Sequence, residues 1–181
     1  MTLRLFTAPV NLPVSLATVK TFLRVDGSTD DALITQLIKA ATETGEGITR
    51  RSFITQTLDW TFDAWPSSCV LNVPRPRLQS VTSVKYLEDD ATEHTWTDYT
   101  VDAKSEPGVI VFEDLPGVTL EESGAVTVRF VAGYGLSEAD VPDHIKLALM
   151  QLVSYWYETR MIGDVPAGIR SMFMQERVIW F

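Results

Sequence analysis

Between Val126 and Arg160 the hydrophobic period of the chain changes from two to that of an α-helix. The segment reads VTVRFVAGYGLSEADVPDHIKLALMQLVSYWYETR. Val126, Val128 and Phe130 alternate with Thr127 and Arg129, the pattern of a half-buried strand. Gly133-Tyr134-Gly135 ends it. Pro142 then sits near a first helical turn, where its missing N–H costs nothing. Beyond it Ile145, Ala148, Leu149, Leu152, Val153 and Trp156 recur at i, i+3, i+4 and define the core face of a helix from about Asp143 to Arg160. The reverse change occurs near Phe53, where a helical period gives way to the alternation of Leu58, Trp60 and Phe62 with Asp59, Thr61 and Asp63. One block of strands therefore lies between two blocks of helices.

The first helical block has two helices. Ser15 is placed to N-cap a short helix through about Arg24, with Leu16, Val19 and Leu23 on one stripe. Ser28, with Asp31 three residues on, offers a second cap, and Leu33, Ile34, Leu37, Ile38 and Ala41 form the next buried stripe. Gly45 and Gly47 weaken the end of that helix. In the strand block, Val70 to Val73, Val81 to Leu87, Trp96 to Val101, Val109 to Phe112 and Ala125 to Val131 join the strand through Phe62, about five or six short strands spaced by turns. The absence of strand–helix alternation disfavours a doubly wound fold. The expected class is α+β: a small helical bundle from the N- and C-terminal helices with an inserted antiparallel β module. The expected division is 1–52 for the first helices, 53–133 for the β module, 134–163 for the last helix and 164–181 for a C-terminal tail. Leu37, Leu149 and Trp156 should be buried where the terminal helices meet.

Charge and residue usage exclude several functions. The 181 residues carry 24 acidic against 15 basic side chains, a formal charge of −9, and 45% are hydrophobic. A nucleic-acid-binding face needs clustered Lys and Arg, which this balance does not supply. It does suit a surface that DNA passes without adhering, since like charges repel. Cys69 is the sole cysteine, so no internal disulfide forms, and a soluble intracellular product is expected, with no membrane span. One Cys with His94 and His144 falls short of a zinc site. No nucleophile elbow or triad is evident, and Gly45-Glu46-Gly47 and Gly133-Tyr134-Gly135 lack the third glycine of a phosphate loop. Glu88-Asp89-Asp90 and Glu121-Glu122 lack calcium-loop spacing and read as solvated turns. No cofactor, no metal and no catalytic residue is expected.

Two features have no catalytic reading and suggest docking. Adjacent residues on a helix point about 100° apart, so Tyr155, Trp156 and Tyr157 cannot all face one core. At the C-terminus IRSMFMQERVIWF places Ile169, Met172, Phe173, Val178, Ile179, Trp180 and Phe181 with no polar stop. Such a run packs on its own domain or on a partner. The candidate docking residues are Tyr155 and Tyr157 on the last helix and Ile169, Met172, Phe173, Val178, Ile179, Trp180 and Phe181 in the segment after Pro166, a tail held loosely until assembly. Trp60, Trp65 and Trp96 offer the alternative reading, a carbohydrate- or receptor-binding module that stacks sugars on its tryptophans.

An ordered set of segments resembles the head-to-tail connector (adaptor) proteins of long-tailed phages, prophages and gene transfer agents. It begins with Ser15-Leu16-Ala17-Thr18-Val19-Lys20-Thr21-Phe22-Leu23-Arg24-Val25-Asp26-Gly27 and Asp30-Asp31-Ala32-Leu33-Ile34. It continues through Thr55-Gln56-Thr57, the stretch from Pro76 to Leu87, and Ala132-Gly133-Tyr134-Gly135. It closes with Val141-Pro142-Asp143-His144-Ile145-Lys146, Trp156-Tyr157-Glu158-Thr159-Arg160 and Val165-Pro166-Ala167-Gly168-Ile169. Thr44-Gly45-Glu46-Gly47 departs from the unbroken helix usual at that place. The resemblance implies a structural virion protein at the head–tail interface, made in the host cytoplasm. It implies self-association into a ring of about twelve subunits of cyclic symmetry, joining the portal protein to a tail-side adaptor or tail terminator protein, with DNA passing the lumen.

Overall fold

The computed structural model describes residues 1–178. They form an α+β fold of two compact units, one of Met1–Pro9 with Thr55–Gly133 and one of Val10–Ile54 with the chain from Tyr134 onward.

The first unit is all β. Strands β1 (Thr2–Thr7), β2 (Gln56–Phe62), β4 (Leu78–Leu87), β5 (Glu93–Trp96) and β8 (Val126–Ala132) form an antiparallel sheet in the order β1-β2-β8-β4-β5. A second sheet, β3-β7-β6, is built from Val70–Asn72, Val109–Phe112 and Tyr99–Asp102. Period-two alternation decides which side chains are enclosed. Leu58 pairs with Phe130 and Phe62 with Val126, all buried, while Asp59 and Arg129 pair on the other face. There Arg129 makes a two-pronged ion pair with Asp59, Nε–Oδ1 2.7 Å and Nη2–Oδ2 2.8 Å, and its guanidinium lies over the Phe6 ring. The Asp59 carboxylate raises the Arg129 pKa above its ordinary value. Leu71, Ile110 and Phe112 of the second sheet join Leu58, Val84 and Val128 of the first in one core. This unit is thus two packed sheets.

Two strand expectations change. Residues 1–9 belong to this unit, because Thr2–Thr7 pairs with β2, Leu3 opposite Trp60 and Leu5 opposite Leu58. The stretch Trp96–Val101 is two strands, β5 and β6, in different sheets, divided at Thr97-Asp98.

The second unit is helical. Helices α1 (Leu16–Leu23), α2 (Asp31–Thr49), α3 (Asp143–Thr159) and α4 (Ala167–Met174) enclose Ile34, Leu37, Ile38, Ala41, Ile145, Leu149, Leu152 and Trp156. Leu37, Leu149 and Trp156 are 3%, 0% and 1% exposed, as the stripe phases require. Ser15 caps α1, its hydroxyl accepting from the Thr18 N–H at 3.2 Å. The expected Ser28 cap is replaced by Asp30, which makes no side-chain capping bond. Gly135 is required by packing: a Cβ there would come within 2.4 Å of the Asp140 side chain, which closes the Ser137 capping box of a 3-10 turn, Glu138–Asp140.

Helix α2 does not fail at its glycines. A Cβ on Gly45 would approach ring carbons of both Phe53 and Phe173 at 2.9 Å, whereas one on Gly47 would meet nothing within 4 Å. The two rings stack with centroids 6.5 Å apart. Gly45 is therefore the notch in which they rest, which accounts for the interrupted helix pattern. The two glycines should respond oppositely to alanine. Gly47→Ala should gain about 0.5–1 kcal/mol from helix propensity. Gly45→Ala should lose about 1–3 kcal/mol, because overpacking outweighs the same propensity gain. Urea titrations of both variants decide it, and equal signs would contradict the notch.

Candidate functional site

The C-terminal segment is where a docking function was expected, and its root is firmly seated. Ile169 and Phe173 lie one turn apart on α4, so the spacing that looked like an apolar tail is the buried stripe of a helix. Phe173 is 0% exposed and Ile169 and Val178 are each 8% exposed, all within the helical unit. Residues 167–178 thus pack within this unit. Met172 is half-buried, and Met174 is 40% exposed. The candidates Ile179, Trp180 and Phe181 lie outside the described residues.

Past α4 the chain returns along the end of α2. The Val178 N–H donates to the Thr49 carbonyl at 3.1 Å. Glu176 holds this return. Arg51 Nε donates to the Glu176 carbonyl at 2.7 Å and stands 3.5 Å from its Oε2. Tyr134 donates its hydroxyl proton to Oε2 at 3.2 Å, and His144 Nε2 is 3.1 Å from Oε1. Arg51 follows α2 and Tyr134 precedes the 3-10 turn, so Glu176 ties two distant segments to the arm, while His144, which opens α3, lies beside its carboxylate without a hydrogen bond. No part of the sequence pattern pointed to Glu176, because its partners converge only after folding.

The aromatic run divides as helix geometry demands. Trp156 enters the core and donates its indole N–H to the Asp164 carbonyl at 2.8 Å. Tyr155 and Tyr157 remain half-buried on either side. The Tyr155 hydroxyl reaches Asp164 Oδ2 at 3.4 Å and that of Tyr157 reaches Asp30 Oδ2 at 2.5 Å. That hydrogen bond to Asp30, with its charge and some desolvation, raises the Tyr157 pKa.

The tryptophans do not form a sugar platform, which needs an exposed coplanar pair. Trp65 and Trp96 are tilted by 58°, and Trp65 packs edge-on against Tyr86 and Phe112. A cleft of about 530 Å³ beside Trp65, lined also by Met1, Phe62 and Leu71, carries Asp63 as its one charged side chain. Asp90 stabilises its own turn, accepting from the Thr92 N–H at 2.9 Å, and hydrogen bonds from the Thr92 side chain and then its N–H lower the Asp90 pKa. Among the described residues no group of three or more His, Cys, Asp or Glu is gathered to hold a metal ion, and no helix is long and apolar enough to cross a membrane.

The seated C-terminal arm and the rings set around α3 leave a protein-binding role as the class to compare. The comparisons agree with that class. The head completion protein family matches residues 14–176, and the chain belongs to that family. No curated protein matches it. Its fold is shared with a chain from the neck of an empty gene transfer agent particle computed with C6 symmetry, at TM-score 0.87 and 21% identity over 100% of this chain and 97% of the other. A chain in the virion of the native particle superposes at TM-score 0.83 and 22% identity, with the same coverage. One from the neck of the native particle computed with C12 symmetry does so at 0.81 and 22%, again over 100% and 97%.

Proposed function

We propose that this chain is a head–tail connector: a ring beneath the portal that joins the filled head to the tail and lines the DNA exit channel. The match of the head completion family across residues 14–176 carries this reading. The likeness to chains in gene transfer agent necks, solved with C6 and C12 symmetry, supports the ring and its place. The charge of −9 supports a lumen along which DNA slides without adhering. Its partners are the portal protein, a tail-side neck protein and further copies of itself, and it performs no catalysis.

The docking residues fall into two groups in this reading. Ile179, Trp180 and Phe181 are the anchors presented to the portal or a neighbouring subunit, with Tyr155, Tyr157 and Met172 as half-exposed surface beside the bundle. Ile169, Phe173 and Val178 support the anchors from within. Large aromatics dominate interface energetics, which is why Trp180 and Phe181 carry the assignment.

Purified protein mixed with its cognate portal and imaged in negative stain should give portals capped by a ring of cyclic symmetry. The same protein should show no duplex binding at physiological salt. Failure to join the portal, or micromolar duplex binding that weakens steeply with salt, would overturn the reading.

A further inference from the structure

Past α4 the C-terminal arm is fastened mostly by polar contacts. Gln175 is exposed, Glu176 and Arg177 are half-buried, and only Val178 is buried. The turn that receives the arm is itself held in place. Arg50 closes α2 in the left-handed region, with φ of 58°. The Arg51 N–H then donates to the Thr49 hydroxyl at 3.2 Å, and the Phe53 N–H donates to Glu46 Oε1 at 2.7 Å. The Phe53 carbonyl accepts from the Tyr134 N–H at 3.2 Å, and Ile54 bridges to Gly135.

Arg51 and Tyr134 are thereby brought together, the guanidinium over the ring at 6.0 Å. Both reach Glu176, Arg51 at its carbonyl and Tyr134 at its carboxylate. Two residues on, the Val178 N–H donates to the Thr49 carbonyl. Residue 176 faces 51 and residue 178 faces 49, so the arm runs antiparallel to the turn and is gripped at both points. Such polar contacts add only modestly to stability, because the same groups are hydrated when the arm is free. What they fix is the line along which the chain leaves the helical unit.

We infer that Arg51, Tyr134 and Glu176 are positioning residues for docking, a clamp that pre-organises the arm for the partner met by the residues after Val178. Ordering a segment before it binds removes the ordering cost from the binding step, so affinity rises without a new contact. This rests on the reading of Ile179, Trp180 and Phe181 as anchors.

The test compares two variants with the wild type. Arg51→Met with Tyr134→Phe removes the donors to Glu176 and keeps the bulk of both side chains. Ile38→Val is the control, a trimmed core residue at 0% exposure that lowers stability without touching the arm. Portals are titrated with each protein at a temperature where all are folded, and the capped fraction is counted in negative stain. The unclamped variant should need about tenfold more protein for half-capping, and the control no more than the wild type. Hydrogen exchange at the Val178 amide should quicken in the unclamped variant and not in the control. Capping by the unclamped variant at wild-type concentration overturns the proposal. An equal loss in the control also overturns it and makes the contacts stabilising only. So does unfolding of the unclamped variant at the assay temperature, which assigns them to the fold. Failure of the wild type to cap portals is a separate result: it removes the docking reading itself, and the clamp's role with it.

Discussion

Replacing Trp156 by alanine should cost the protein about 3–5 kcal/mol, the largest loss expected from any single substitution. Its indole is 1% exposed in the core that α2, α3 and α4 share, so truncation opens a cavity these helices cannot close without shifting. It also leaves the Asp164 carbonyl without the indole donor at 2.8 Å, releasing the segment that leads from α3 to α4. Trp156→Phe separates the two contributions. It keeps most of the volume and loses the donor, so it should cost about 1–3 kcal/mol. Chemical denaturation followed by far-UV circular dichroism measures both. A loss below about 1 kcal/mol for the alanine variant would mean that α3 is not packed as described.

What the sequence revealed depended on how local each determinant is. The stripes Ile34–Ala41 and Ile145–Trp156 are written into consecutive turns, so helix phase and core membership followed directly. The strand Thr2–Thr7 is not legible because Phe6 breaks the alternation that Leu3 and Leu5 begin around Arg4. Six residues are a short signal, and the partner strand begins at Gln56, far along the chain. Trp96–Val101 looked continuous because both halves are strand-like, and only Thr97-Asp98 hinted at a change of sheet. Gly45 looked like a weak point because propensity is a property of one helix, whereas the rings that need the notch arrive from Phe53 and Phe173. The same contrast governs the C-terminal arm. Ile169 and Phe173 have the helical spacing of a buried stripe, yet the apolar run reads as a docking tail, and the contacts of Glu176 with Arg51 and Tyr134 leave no trace in any one window.

The largest functional effect is expected from Trp180→Ala with Phe181→Ala: DNA-filled heads that carry no tails. Deleting everything after Gln175 is the blunter experiment and its outcome is mixed. It removes Glu176, with its hydrogen bonds from Arg51 and Tyr134, and Val178, whose N–H reaches Thr49. That deletion should lower the melting temperature by several degrees, since about 1 kcal/mol corresponds to roughly 2–4 °C in a chain of this size. A failure of assembly could then reflect instability alone. The double alanine variant keeps Glu176 and Val178, so its melting temperature should match the wild type within a degree or two. Loss of tails at unchanged stability assigns the docking energy to the two terminal rings, as expected where a few aromatics dominate an interface. A melting temperature that falls as far as in the deletion would place Trp180 and Phe181 in the fold of the helical unit instead. Complete, infectious or gene-delivering particles from the stable double variant would remove the terminal rings from the assembly mechanism altogether.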